Sequence, residues 1–396
     1  MGTSKLYISP KSILIAILVA VTVYAWRPGF LGGVPLYKVI FPIYFIWMFW
    51  AKQINVKTVG FNLKRSSYCW LVLLSWGILS LLWIDYTGNE WTTISYDLNW
   101  ILIGICFSVL GVRERNKERI LKFFCILAGI ISFIGLFTSF TGYYFNQTHE
   151  SYYHIRNFLN LYRPNSIFYN VNDHAVFMFL SIVVLFLATE KKNKGIFWRI
   201  IGMMLFCSNI ILVDSRGVEL GLMLFLTIYL FSTRKVRWYY KAVIIIAVVL
   251  FVVFNFDLIL NLDIFSSGMS DSGRFSILTM CMSSLKRSNF LGVGPGNIAS
   301  VNDYYFSAET VAPHNFFIEI LCDYGIVGSI SIVVWFIGNL SCAWRMSKYD
   351  GRALIIWIAL ISFFPISIVS SSLIGKSWVA CFFGIIAACL NSIECK

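Results

Sequence analysis

Three residues in this chain have the side chains needed to hold an anion and move a proton: Arg216, Arg274 and His314. An arginine fork matches two oxygens of a phosphate or diphosphate. An imidazole titrates near neutrality and can take the proton of an attacking hydroxyl. Each residue also has a plainer reading. Arg216 follows Asp214-Ser215 and can pair with Asp214 or snorkel to a lipid headgroup. Arg274, in Ser272-Gly273-Arg274-Phe275, can pair with Asp271. His314 sits in Pro313-His314-Asn315-Phe316-Phe317-Ile318-Glu319, where the Pro and Asn read as a helix start and a structural role is open. Asn315 and Glu319 are four apart and share a helix face. Glu319 is then a helper beside the imidazole or a partner for a neighbouring helix.

Gly292-Val293-Gly294-Pro295-Gly296-Asn297 lies between the two stretches. Its glycines predict a tight turn where backbone approaches backbone. A phosphate cradle is the alternative, and the spacing alone is a weak sign of one.

The elements that must position these residues are hydrophobic. The chain is 58% hydrophobic and 13% charged, beyond the apolar share of ordinary soluble domains. Its apolar runs approach the roughly 20 residues that cross about 30 Å of hydrocarbon as a helix, and barrel-type alternation is absent. The expectation is an all-α polytopic membrane protein with about twelve spans, near 11–26, 35–51, 67–84, 98–112, 120–140, 173–190, 196–213, 216–232, 240–262, 314–340, 353–373 and 376–392.

Lys and Arg concentrate in cytoplasmic connections. With the N-terminus inside, only Arg27, Lys38, Arg156, Arg163, Arg216, Arg274, Lys286, Arg287 and Lys376 are left on the outer side. Both termini are then cytoplasmic and both long loops face outward. The net charge of +13 is spread over many inner loops, which speaks for topology and anionic lipid rather than nucleic acid.

No internal repeat or linker divides the chain, so 1–396 reads as one transmembrane domain. The first outer loop, 141–172, carries Tyr143, Tyr144, Tyr152 and Tyr153 with His149, His154, Arg156 and Arg163. That content suits a membrane interface or a sugar. The second, 263–313, carries the chemistry-bearing motifs. In it Phe275, Leu278, Met282 and Leu285 recur at helical steps, which predicts an amphipathic helix along the outer surface. The ten cysteines lie mostly within spans and imply no disulfide framework. The acids expected in outer connections are Asp85, Asp97, Glu150, Asp257, Asp263, Asp271, Asp303 and Glu309, and they form neither DxD nor HExxH. The expectation is a reaction without metal or cofactor.

The motif set resembles the O-antigen polymerase and O-antigen ligase superfamily. The matching pieces are Arg163-Pro164, Tyr169-Asn170-Val171-Asn172-Asp173, Asp214-Ser215-Arg216-Gly217, Gly273-Arg274-Phe275, the glycine turn, and Pro313-His314-Asn315 with Glu319 and Tyr324-Gly325-Ile326-Val327-Gly328. They cover about 140–328. One departure is Tyr169-Asn170-Val171-Asn172, where the family pattern has Asn-Pro-Asn, and it touches the local turn rather than the chemistry.

The resemblance implies a fold similar to the GT-C membrane glycosyltransferases. It also implies metal-independent, inverting glycosyl transfer on the outer face of the bacterial cytoplasmic membrane, from a glycan on undecaprenyl diphosphate. Carried onto this chain, His314 is the catalytic base and Arg216 and Arg274 hold the donor. Arg163, Asn315 and Glu319 complete the expected substrate-binding set. The acceptor is a lipid-linked repeat unit for a polymerase, or lipid A–core for a ligase. The Asn172-Asp173 pair favours the polymerase, which can also meet a chain-length regulator. A flippase for lipid-linked oligosaccharide would show repeated halves and polar midplane residues, and neither is seen. An inactive scaffold would leave Arg216, Arg274 and His314 without a joint explanation.

Overall fold

A computed structural model describes residues 9–25, 27, 34–55, 58–84, 88, 90–144, 157, 159–168, 170, 171–190, 195–232, 269–306, 313, 315–369 and 372–394. All the regular elements among them are helices: α1 (Pro10–Tyr24), α2 (Tyr37–Trp50), α3 (Phe61–Ser80), α4 (Glu90–Gly111), α5 (Glu114–Thr141), α6 (Val171–Thr189), α7 (Gly195–Val213), α8 (Arg216–Ser232), α9 (Met269–Arg287), α10 (Ile298–Phe306), α11 (Phe316–Met346), α12 (Gly351–Ile366) and α13 (Ser377–Glu394), with a 3-10 turn at Leu373–Gly375. Within the described residues α4, α5, α6, α7, α11 and α13 are long and apolar enough to cross a membrane, and α1, α2 and α12 are apolar but shorter. The expected ninth span, 240–262, lies outside the described residues.

Polar side chains set where several helices begin. Ser9 caps α1 ahead of Pro10, Asn170 caps α6 by accepting from the Asn172 amide, Asn315 caps α11 and Asp350 caps α12. Each side-chain oxygen satisfies an amide that the first turn leaves without a partner. Asn170 thereby makes the turn into α6 without the missing proline.

Contacts fix which helix ends lie together. Gly384 packs on Phe107 and Ile103, and Gly111 on Ala388, so α13 and α4 run parallel at close range. α3 and α11 run antiparallel: Gly77 meets Tyr324, Ser331 donates to the Cys69 carbonyl at 2.6 Å, and Asn62 bonds Asn339 at 3.0 Å. One end of the bundle is fastened by charge. The buried Arg352 guanidinium bonds Glu114 at 2.6 Å, Glu118, and the Leu187 carbonyl at 3.0 Å. The buried Lys117 ammonium bonds Glu114 at 2.8 Å and Ser392 at 2.7 Å. Charges so far from water persist because their donors are met. The opposite end gathers the starts of α4, α6, α8, α11 and α13.

Three expectations need correction. The third span starts at Phe61, six residues before the hydrophobic run, because Glu394 accepts from the Asn62 amide at 2.9 Å and Asn62 accepts from Arg65. The fourth starts at Glu90, so Asp97 belongs to a helix and not to a loop. The eleventh stops at Ile366 rather than near 373, because the Ser367 carbonyl leaves the helix to accept from the Phe316 amide at 3.0 Å.

Candidate active site

Asp323 organises the site. Its carboxylate accepts from the amides of Gly296 at 2.9 Å and Ile298 at 3.0 Å. Gly325 has φ of 63° and breaks α11, so the carbonyls of Cys322 and Asp323 turn outward. They accept from the amides of Val293 and Gly294, each at 2.9 Å, while the Ile326 amide donates to Phe290 at 3.1 Å. The glycine turn is thus docked on a helix break. Gly292, Gly294 and Gly296 all have positive φ. A Cβ at Gly292 would lie 2.5 Å from the Asp323 carbonyl oxygen, so only glycine fits that approach. The turn reading holds, and the amides of Val293, Gly294, Gly296 and Ile298 are spent on α11 rather than offered to a phosphate.

α9 packs over this junction. Ile277, Met280 and Cys281 are buried against Ile298, Cys322 and Val293, and Ser284 and Leu285 are buried further along the helix. This corrects the expected amphipathic face. Leu285 faces inward as expected, but Leu278 is 37% exposed and the inward stripe is rotated toward Ile277 and Cys281. Serine and cysteine allow the close approach of two helices, and a count of large apolar residues overlooks them. α9 and α10 also lie within the expected loop 263–313.

The α11 start opens into a cavity of about 650 Å³ at this end of the bundle. Pro313, Phe316, Glu319, Ile320, Asp323 and Tyr324 line one wall; Tyr24, Tyr96, Asp173, Lys376 and Trp378 line others. Glu319, half-buried, accepts from the Ser372 amide at 2.8 Å. Lys376 Nζ donates to Asp173 Oδ2 at 2.6 Å. Behind the cavity the Tyr324 hydroxyl donates to Asp97 Oδ2 at 2.6 Å, and Asn297 donates to Glu90 at 3.0 Å. Among the described residues no three His, Cys, Asp or Glu side chains gather as a metal-binding group.

The expected site residues are distributed as follows. Glu319 lines the cavity. Asn315 does not share a helix face with it: Asn315 is the cap, its Oδ1 accepting from the amides of Phe317 at 3.0 Å and Ile318 at 3.2 Å, because a residue outside the first turn has extended backbone. His314 lies outside the described residues, between cavity-lining Pro313 and the Asn315 cap. Arg163 Nη2 bonds Asp214 Oδ2 at 2.8 Å. Arg216, the first residue of α8, is exposed and lies on the same end of the bundle, where Gly217 packs against Val369 and the Pro365 carbonyl. Arg274 is in the first turns of α9. Arg163 and Arg216 are not among the lining residues of the cavity.

Sequence reasoning passed over the pairing of Asp173 with Lys376 and the anchoring role of Asp323. The Asn172-Asp173 motif was a pointer to the first. Nothing local in the sequence distinguishes Asp323 from a helix-face carboxylate, because its partners are backbone amides 25 and 27 residues earlier.

Residues 201–333 match the family described as O-antigen ligase. The teichuronic acid biosynthesis protein TuaE of Bacillus subtilis (strain 168) is 27% identical over 352 residues, covering 81% of this chain and 70% of that protein. The motifs at 214–217, 273–275, 292–297 and 313–328 all fall inside the matched segment. Through that segment the chain is similar to the O-antigen polymerase and ligase superfamily, as the motifs suggest.

Proposed function

We propose that this chain polymerises lipid-linked glycan repeat units on the outer face of the bacterial cytoplasmic membrane, with both termini cytoplasmic. The coarser role, polysaccharide biosynthesis of the O-antigen polymerase and ligase type, follows from the family. The observation that carries the finer reading is the cavity at the α11 start, bordered by the residue before His314 and lined by Glu319.

In this reading His314 takes the proton of an acceptor hydroxyl as its oxygen bonds to C1 of the donor sugar. The C1–O bond to the diphosphate breaks on the opposite face, so the anomeric configuration inverts and undecaprenyl diphosphate leaves with the electron pair. Arg216 and Arg274 hold that diphosphate, with Arg163 fixing the Asp214 turn beside Arg216. The alternating polarity of the helix ends supports an outward site: Arg352, Lys117 and Arg199 gather at the other end, as cytoplasmic charges do. No step is assigned to a metal ion.

The Asn172-Asp173 motif supports polymerase, and the relative named for teichuronic acid biosynthesis supports the coarser role. The family description, O-antigen ligase, keeps the ligase as the second reading. Purified protein in lipid nanodiscs, given lipid-linked repeat units alone, should give a ladder of polymer. A product that forms only when lipid A–core is added would replace polymerase by ligase.

A further inference from the structure

Lys376 stands directly before the first residue of α13. A cation there opposes the helix dipole, so helix stability does not place it. It is held by Asp173, which is 3% exposed, and both residues line the cavity with Glu319.

Among the described residues the charged side chains of this wall are Arg27 and Lys376 against Asp173, Glu319 and Asp323. Asp173 pairs with Lys376, and Asp323 accepts from the Gly296 and Ile298 amides with its two oxygens. A diphosphate needs surplus positive charge, and the described residues of the wall offer none. What they offer is an ammonium paired with one carboxylate and a second carboxylate on the same cavity, the mixture of donor and acceptor that neighbouring sugar hydroxyls require. Exposed Tyr24 adds an aromatic face at the rim, and about 650 Å³ lies within the roughly 300–1,000 Å³ of ligand cavities.

We propose that this cavity seats an uncharged sugar ring of the acceptor, with Lys376 donating to its hydroxyls and Asp173 and Glu319 accepting from them. The donor diphosphate binds elsewhere, at the arginines. Lys376, Asp173 and Glu319 are binding residues, and Asp173 also positions the Lys376 ammonium. The inference rests on the glycosyl-transfer reading above.

The probe is the repeat-unit oligosaccharide, released from its lipid by mild acid in a strain lacking this gene and followed by saturation-transfer NMR on the nanodisc protein. The wild type should bind it and Lys376→Met should bind at least about tenfold more weakly, while inorganic pyrophosphate does not compete. The exchanged pair Asp173→Lys with Lys376→Asp restores an ion pair between the two helices, so it should recover thermal stability without recovering binding. Equal binding by Lys376→Met, displacement by pyrophosphate, or full recovery of binding in the exchanged pair would overturn the proposal. Failure of the underlying reading shows separately, as absence of any glycan transfer by the wild type from lipid-linked repeat units.

Discussion

Arg163 Nη2 lies 2.8 Å from Asp214 Oδ2, so the carboxylate two residues before Arg216 is already engaged. Arg216 stands exposed at the start of α8, with Glu219 one turn on as a nearby charge. Arg216→Ala should therefore abolish polymer while leaving the protein inserted and stable. Lysine at 216 should rescue poorly, since an ammonium does not reproduce the fork. Arg163→Ala breaks a partly exposed pair and should cost about 1 kcal/mol or less of stability, with a smaller loss of activity. Gel analysis of glycan from complemented deletion strains, with protein levels measured by immunoblot, checks both; full activity of Arg216→Ala removes it from the donor site.

His314→Ala should lower turnover by about 10²- to 10⁴-fold with little change in donor binding, the range for a positioned general base. EDTA should leave the wild type active. Steady-state rates in nanodiscs decide: a binding defect with normal saturated turnover makes the imidazole a binding group, and recovery of EDTA-treated enzyme by Mg²⁺ or Mn²⁺ shows metal dependence.

Gly325→Ala places a Cβ 2.4 Å from both the Leu291 carbonyl carbon and the Phe290 oxygen, at φ of 63°. The backbone strain alone costs about 1–3 kcal/mol, and the clash adds to it. Gly292→Ala disturbs the same contact from the other side, so the double variant should lose less than the sum of the single losses. Thermal unfolding of detergent-solubilised protein measures all three.

Tyr324→Phe leaves the buried Asp97 carboxylate without its hydroxyl donor and should lower stability by about 1–2 kcal/mol. Asp97→Asn keeps an acceptor for the Tyr324 hydroxyl and should cost less. The reverse order, in the same unfolding assay, would mean that the pair is not what holds α4 to α11 at this level.

Cysteine labelling tests the orientation. Reporters after Arg119 and Arg237 should be cytoplasmic, and sites within 263–312 should react from outside. Labelling of 263–312 from the cytoplasm alone would invert the proposed active-site side.

Hydropathy made the helical character and most helix positions legible, because lipid selects long apolar runs. It failed where polar residues were paid for by tertiary partners. Asn62 in α3, and Glu90 and Asp97 in α4, meet Glu394, Asn339, Asn297 and Tyr324 from distant segments, which a local window does not see. The place of Glu319 on the cavity wall follows from its position one turn after the helix start. Asn315 was misread because a cap and a first-turn residue differ by one position. The Asp173–Lys376 pair joins residues 203 apart, so only folding brings them together.

The break at Gly325 has a cooperative consequence. The amides of Val293, Gly294 and Ile326 are closed by the same exchange of partners between turn and helix, so none can open without releasing the others. Such coupled closure defines one unit of local unfolding. Hydrogen exchange at these three amides should then proceed at a common rate, although one of them belongs to a helix long enough to cross the membrane and two belong to the turn packed against it.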